Sequence, residues 1–256
     1  MTNFRKNFRG GCHFSCSFGA MKRLLISILV TLTACAAFGQ LSVGVRAGFG
    51  AFGVHFEPPS LNGDQVPLYE PNFGIVGIFN DKNNAGIQVE VNYAVKGWRE
   101  QDKDSSNMWY RRELTYLEVP FMTHFELGRS WFRIYGLVGP YVAFKRNESV
   151  SSKNYDLIMA YDPYKLYAQK VRDIDFGNKA ALGFRVNIGK RFSAFADVRY
   201  DLQLAGSQNI FKKQPNGIQS SRLTELGGSV ALVFNILPQR TEEVKEYYVP
   251  KEGFDE

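Results

Sequence analysis

The sequence predicts an all-β fold, an eight-stranded antiparallel up-and-down transmembrane β-barrel with short periplasmic turns and long extracellular loops. Three observations carry that expectation. Apolar and polar residues alternate with period two through most of residues 41–236, and side chains two apart share one face of a strand. Several of these runs are longer than the about five or six residues usual for a globular strand. The connections between runs alternate long and short, as they do where periplasmic turns are tight and extracellular loops are extended.

The N-terminal region decides what folds. Leu24–Phe38 is the one long apolar run; it follows Met21-Lys22-Arg23 and ends in Ala36-Ala37-Phe38-Gly39. A basic start, a short apolar stretch and small residues at the end form a secretory signal peptide. The run falls short of the roughly 20 residues of a membrane-spanning helix. Residues 21–40 are therefore read as the signal, cleaved near Gly39 and Gln40, and residues 1–20 as an upstream extension produced by a start assigned too early. Leu32-Thr33-Ala34-Cys35 also resembles a lipobox, which would make Cys35 a lipidated N-terminus; the Ala-Phe-Gly site is better placed. Removing residues 1–40 takes five basic residues (Arg5, Lys6, Arg9, Lys22, Arg23) from 31, leaving 26 against 25 acidic. The apparent basicity then says nothing about nucleic acid, and no nucleic-acid partner is expected. Cys12, Cys16 and Cys35 all precede the cut, so no disulfide or thiol chemistry is expected beyond it. Aromatics at 14%, 24 glycines and a mean hydropathy of −0.24 suit a β protein and exclude a polytopic helical membrane protein.

The barrel domain is assigned to 41–236. In the first run Leu41, Val43, Val45, Ala47, Phe49 and Ala51 oppose Ser42, Gly44, Arg46, Gly48 and Gly50. A Pro/Gly/Asn-rich loop spans Glu57–Glu70, and Phe73–Phe79 is a weaker strand, apolar on both faces. After a polar turn at Asp81–Asn84, Ile87, Val89, Val91, Tyr93 and Val95 alternate with Gln88, Glu90, Asn92 and Lys96. Beyond a polar loop at Glu100–Trp109 comes a long hairpin. Thr115, Leu117, Val119, Phe121, Thr123, Phe125 and Leu127 face away from Tyr116, Glu118, Met122, His124 and Glu126. Past Gly128-Arg129-Ser130, Phe132, Ile134, Val138, Val142 and Phe144 oppose Arg133, Tyr135, Tyr141 and Lys145.

A tyrosine- and lysine-rich loop, Asn147–Arg172, precedes a second long hairpin that turns at Gly189-Lys190. In it Ile174, Phe176, Leu182, Phe184 and Ile188 oppose Asp175, Lys179 and Arg185; then Phe192, Ala194, Ala196, Val198 and Tyr200 oppose Asp197, Arg199 and Asp201. A polar loop at Ala205–Ser221 leads to the last strand, where Leu226, Val230, Leu232, Phe234 and Ile236 oppose Glu225, Ser229 and Asn235. A soluble ligand-binding barrel is the competing architecture, but its apolar face would point inward and its charged face outward. Pro120 and Pro140 fall inside strands, where each removes a ladder donor, so a bulge or a break in pairing is expected near each.

Tyr116-Leu117-Glu118-Val119-Pro120-Phe121 resembles the Y-L-E-(I/V)-P motif of the outer membrane β-barrel family that includes PorT-like proteins, found largely in the Bacteroidota. Tyr135–Tyr141, Asp175–Gly183 and Gly44–Gly50 are similar to other strands of that family, so the resemblance spans essentially Leu41–Ile236. It implies an eight-stranded barrel in the outer membrane of a Gram-negative bacterium, inserted by the barrel-assembly machinery. It implies no activity; one family member is associated with type IX secretion.

The expected lumenal set is Arg46, Glu90, Lys96, Glu118, His124, Glu126, Arg133, Lys145, Asp175, Lys179, Arg185, Asp197, Arg199, Asp201 and Glu225. Seven bases face seven acids besides His124. Eight strands enclose a space that side chains fill, and buried charges there must be paired, so a salt-bridge plug is expected over a conducting pore. His124 beside Glu118 and Glu126 is the one arrangement suggestive of a catalytic base, yet Thr123 points away and no nucleophile motif accompanies it. His55 has no second ligand near it in sequence, so no metal or cofactor is expected. Loop aromatics Trp109, Tyr110, Tyr155, Tyr161, Tyr164 and Tyr167 are read as interfacial girdle residues with Lys153, Lys165 and Lys170 on solvated loops. The polar tail 237–256 is expected to be disordered in the periplasm. The function expected is a non-enzymatic structural or interaction role in the cell envelope, its partners outer-membrane lipid and an envelope or secretion-system protein. Small-solute transport and a lipid-modifying activity at His124 are the alternatives.

Overall fold

The structure is a computed structural model that describes residues 40–57, 64–80, 84–101, 107–129, 131–154, 169–203, 210–213 and 218–236. The signal segment with Cys35 and Gly39, the loop residues Tyr155, Tyr161, Tyr164, Lys165 and Tyr167, and the tail lie outside the described residues. The strands are β1 (Gln40–Glu57), β2 (Asp64–Val66), β3 (Leu68–Asn80), β4 (Ala85–Gln101), β5 (Trp109–Gly128), β6 (Phe132–Lys153), β7 (Ile174–Ile188), β8 (Phe192–Gln203) and β9 (Ser220–Asn235). All ladders are antiparallel. The order β4-β3-β1-β9-β8-β7-β6-β5 closes on itself through β4–β5, so eight strands form the wall, and β2 adds to the outer end of β4. Closure leaves no free sheet edge in the wall, which is the condition for strands to cross a membrane.

The short turns each use a residue that tolerates positive φ: Asn84 at 62°, Gly128 at 142° and Gly189 at 68°. At the opposite end the strands run further than the alternation suggested. β1 reaches Glu57 and β6 reaches Lys153, so the third long loop starts after Lys153 rather than at Asn147. The first loop carries β2, and β3 begins at Leu68. Tertiary pairing extends these segments, since β5 supplies partners to β6 as far as Trp109↔Lys153.

The prolines interrupt ladders without shifting them. Pairing of β4 with β5 passes from Val89↔Phe121 to Asn92↔Glu118 in one register, skipping Val119 and Pro120. Pairing of β5 with β6 likewise passes from Pro120↔Tyr141 to Thr123↔Val138, skipping Pro140. A bulge lies elsewhere: Thr115 pairs with Asn147 and Tyr116 with Lys145, leaving Arg146 as the extra residue. An extra residue flips the side-chain phase, so both Lys145 and Glu148 turn into the mouth, where Lys145 Nζ lies 2.6 Å from Glu148 Oε2.

The outward face carries exposed Val43, Val45, Ile75, Val89, Phe121, Leu182 and Val230. Aromatic pairs border this band. Phe73 stacks on Tyr93 at 5.1 Å near its outer edge, and Phe192 meets Phe234 edge-on at 5.4 Å near the short turns.

Candidate functional site

The inward face is the candidate site, and it is not uniformly charged. Charged layers alternate with apolar ones because each strand contributes every second residue and the sequence of those residues changes along the axis. Nearest the short turns, Glu126 Oε2 accepts from Arg133 Nη1 at 3.0 Å, and Arg185 Nη1 donates to both Glu126 oxygens at 3.0 and 3.1 Å. Asn80 Nδ2 donates to Glu126 Oε1 at 3.1 Å. His124 Nε2 lies 2.9 Å from Glu126 Oε1, and its Nδ1 2.9 Å from Gln88 Oε1. Its ring stacks on Tyr135 and meets Phe195 edge-on. None of these neighbours is a serine, threonine or cysteine.

An apolar layer of Val76, Ile78, Met122, Leu137, Phe195 and Val233 comes next. It explains why the β3 run read as apolar on both faces. A second charged layer follows. Glu90 Oε2 accepts from Arg199 Nη1 at 2.8 Å, from Asn92 at 2.8 Å and from Arg46 Nη1 at 3.3 Å. Asp197 accepts from Arg199, Ser229 and Tyr135 at 2.6–3.0 Å. A cavity of about 10 Å³ lies between these two layers, space for about one water.

The third charged layer gathers Glu118, Asp201 and Glu225, whose carboxylate oxygens lie within 4.8 Å of one another. Two ammonium groups supply the counter-charge. Lys96 Nζ is 2.5 Å from Glu118, 3.1 Å from Asp201 and 3.6 Å from Glu225. Lys179 donates to Glu118 and lies 3.1 Å from Asp201. Both lysines also face the Tyr141 ring, Lys96 at 4.7 Å and Lys179 at 5.8 Å, and the Tyr141 hydroxyl donates to Asp175 at 3.3 Å.

Glycines on the inward face make this packing sterically possible. A Cβ on Gly74 would stand 2.2 Å from Asn92 Oδ1, and one on Gly48 2.5 Å from Asn72 Oδ1. Asn72 in turn accepts from Arg46 at 3.2 Å and donates to Glu225 at 3.3 Å, bridging the second and third layers.

The extracellular mouth is filled by an apolar stopper of Val54, Phe56, Trp98, Tyr110, Leu114, Val171, Ile210, Phe211, Ile218 and others. Three of these come from the segment expected to be a polar loop, and Tyr110, expected at the membrane boundary, is fully buried inside. Phe211 stacks on Phe56 at 6.3 Å and meets Trp98 edge-on at 6.3 Å. The two long loops on which it sits are tied together by a Val171↔Phe211 bridge and by the Arg172 and Lys212 amides donating to Ile210 and Lys170. Lys212 Nζ also donates to Asp173 at 2.5 Å, and that hydrogen bond holds the Asp173 carboxyl below its ordinary range.

All the residues assigned to the lumen from sequence are buried there except Lys145, the last inward residue of β6 before the bulge, which is half-buried at the mouth with Glu148 and Asp173. The same alternation, continued outward from Leu114, would have added Arg112; it donates to Glu148 and to the Gln169 carbonyl and lies over Trp98. Gln88, Asn72, Asn80, Asn92, Ser193 and Ser229 complete the hydrogen bonding, and they carry no charge to mark them in the sequence. His55 is exposed on β1, and Trp109 packs under Arg99 on the outer wall.

A family profile described as outer membrane protein beta-barrel domain matches residues 33–208. The crystal structure of OprG from Pseudomonas aeruginosa superposes with a TM-score of 0.48 at 8% identity, covering 77% of this chain and 96% of that one. Ail of Yersinia pestis superposes with a TM-score of 0.38 at 13% identity, covering 75% and 98%. AlkL, determined in lipid bilayers, gives 0.40 at 12% identity, covering 78% and 92%. No curated protein matches the chain.

Proposed function

The chain belongs to the outer membrane protein β-barrel domain family and resides in the outer membrane as a multi-stranded barrel, and from that premise we propose that it is a closed, non-enzymatic barrel with a structural or interaction role in the cell envelope. The observation that carries this reading is the filled lumen. Three layers of ion pairs, an intervening apolar layer and an apolar stopper occupy the axis from the short turns to the mouth. A pore needs a continuous wet path, and the cavity between the apolar layer and the second charged layer has space for about one water. Buried charges held by several partners each are costly to displace, so this plug favours a fixed scaffold over a gate. His124 fits the same reading, because both ring nitrogens face acceptors in the ion-pair layer.

The interaction half of the reading rests on the outer ends of β4, β5 and β6, which extend beyond the apolar band and carry polar residues such as Arg111, Glu113, Ser149 and Ser151. The Tyr116–Phe121 resemblance to PorT-like proteins supports an envelope or secretion machine as the class of partner. Closure is tested by planar-bilayer recording of the refolded barrel. No conductance steps are expected; regular ohmic steps would overturn the closed-lumen reading in favour of small-solute passage.

A further inference from the structure

The short-turn end of the barrel is charged in a way that lumen closure does not use. Arg129 follows β5, and Lys190 and Arg191 form the β7–β8 turn; all three are exposed. The two turns stand side by side, since Phe132 pairs with Val186 and the Asn187 amide donates to the Trp131 carbonyl. Just inside them, the guanidinium groups of Arg133 and Arg185 both reach the carboxylate of Glu126. Among the described residues no aspartate or glutamate is exposed on this rim; Asp81, on the β3–β4 turn, lies outside the described residues.

The basic rim directly borders the apolar band. Leu127 is 77% exposed, Trp131 63%, Ile188 55% and Phe192 46%. Cations at a polar headgroup level with apolar and aromatic side chains immediately beside them match an amphiphile that is anionic at one end and a hydrocarbon at the other. Guanidinium groups pair with phosphate oxygens in a two-pronged geometry. Short turns of such barrels face the periplasm.

We propose that the paired turns Arg129 and Lys190–Arg191 form a binding site for the phosphate headgroup of an anionic phospholipid in the periplasmic leaflet, with its acyl chains along Leu127, Trp131 and Ile188. This holds whether or not the lumen conducts. A basic residue next to an anionic lipid surface gives about a fivefold preference, so three give on the order of a hundredfold at low salt. Salt screens the effect, with a Debye length of about 10 Å at 0.1 M.

The test reads lipid contact at Trp131 in the full chain refolded into phosphatidylcholine vesicles. Brominated phosphatidylglycerol and brominated phosphatidylcholine are added separately at equal mole fraction, and quenching is followed in a Trp98→Phe/Trp109→Phe background. Native mass spectrometry of the unmodified chain counts retained phosphatidylglycerol, in case that background folds poorly. Stronger quenching and retention with phosphatidylglycerol are expected, falling to the phosphatidylcholine level in Arg129→Gln/Lys190→Gln/Arg191→Gln. Those three residues are exposed, so the variant should still form the heat-modifiable band of a folded barrel. Equal response to the two lipids, or an undiminished preference in the triple variant, would overturn the proposal. So would a preference that appears only after removal of residues 237–256, which carry six acidic and three basic residues, because the tail would then be the natural occupant.

Discussion

Replacing Glu126 by glutamine tests the layered charge count most directly. Glu126 is fully buried and is the common acceptor for Arg133 Nη1 at 3.0 Å and Arg185 Nη1 at 3.0 Å, with His124 Nε2 at 2.9 Å and Asn80 Nδ2 at 3.1 Å. The amide keeps the shape but takes from two guanidinium groups the carboxylate that both contact among the described residues. Removing one partner of a buried ion pair costs about 3–5 kcal/mol, mostly because the remaining charge is stranded. At a slope of about 2 kcal/mol per molar urea, the unfolding midpoint should fall by about 2 M. Glu225→Gln is the internal control. Its layer holds three carboxylates to two ammoniums, so the same exchange brings it to balance. The loss there should be no more than about 1 kcal/mol, the scale of one ordinary hydrogen bond. Both variants are followed in lipid vesicles by the gel mobility of unheated samples and by tryptophan fluorescence. If Glu225→Gln loses as much as Glu126→Gln, or Glu126→Gln loses less than about 1 kcal/mol, the layers do not balance their charge separately.

Two further outcomes follow from the packing. Phe211→Ala removes a fully buried ring from the stopper and should cost about 3 kcal/mol in the same urea titration. Its bilayer recordings should stay silent, because the ion-pair layers lie beneath; conductance steps in this variant would assign the seal to the stopper instead. Gly74→Val drives a side chain into Asn92 Oδ1 and the Val91 carbonyl, 2.2 and 2.4 Å from the new Cβ, and should lose about 1–3 kcal/mol or more. Gly136→Ala meets nothing within 4 Å and should leave the midpoint nearly unchanged, a contrast that separates steric crowding from general loss of glycine.

Much of the wall could be read without coordinates, because period-two alternation is a local property. Val43, Arg46, Val89, Glu90, Phe121 and Glu118 each declare their face by their neighbours two positions away. That logic fails where the inward face is itself apolar. Phe52, Val54 and Phe56 lie inside, yet nothing local separates them from lipid-facing residues, and β1 accordingly read as ending near Ala51. It also fails at Arg146, where one unpaired residue reverses the phase and turns Glu148 into the mouth beside Lys145. Ile210, Phe211 and Ile218 sit among glycine, proline and lysine in the sequence, and only the chain's return over the mouth gives them apolar neighbours.

The sequence by itself determined the architecture: eight wall strands, their facing, the long and short connections and a lumen rich in both signs of charge. The physical reason is that a strand in lipid must put apolar side chains on one face along its whole length. Only the tertiary structure decided which charge meets which. Arg199 finds Glu90 109 positions away, and Lys179 finds Glu118 61 positions away. Such pairings depend on closure of the β4–β5 seam and on strand stagger, which no local pattern encodes. The even total of charges hides an uneven distribution: among the described residues, one carboxylate meets two guanidiniums near the short turns and three carboxylates meet two ammoniums near the mouth. That separation arises from which residues closure brings to each level of the barrel.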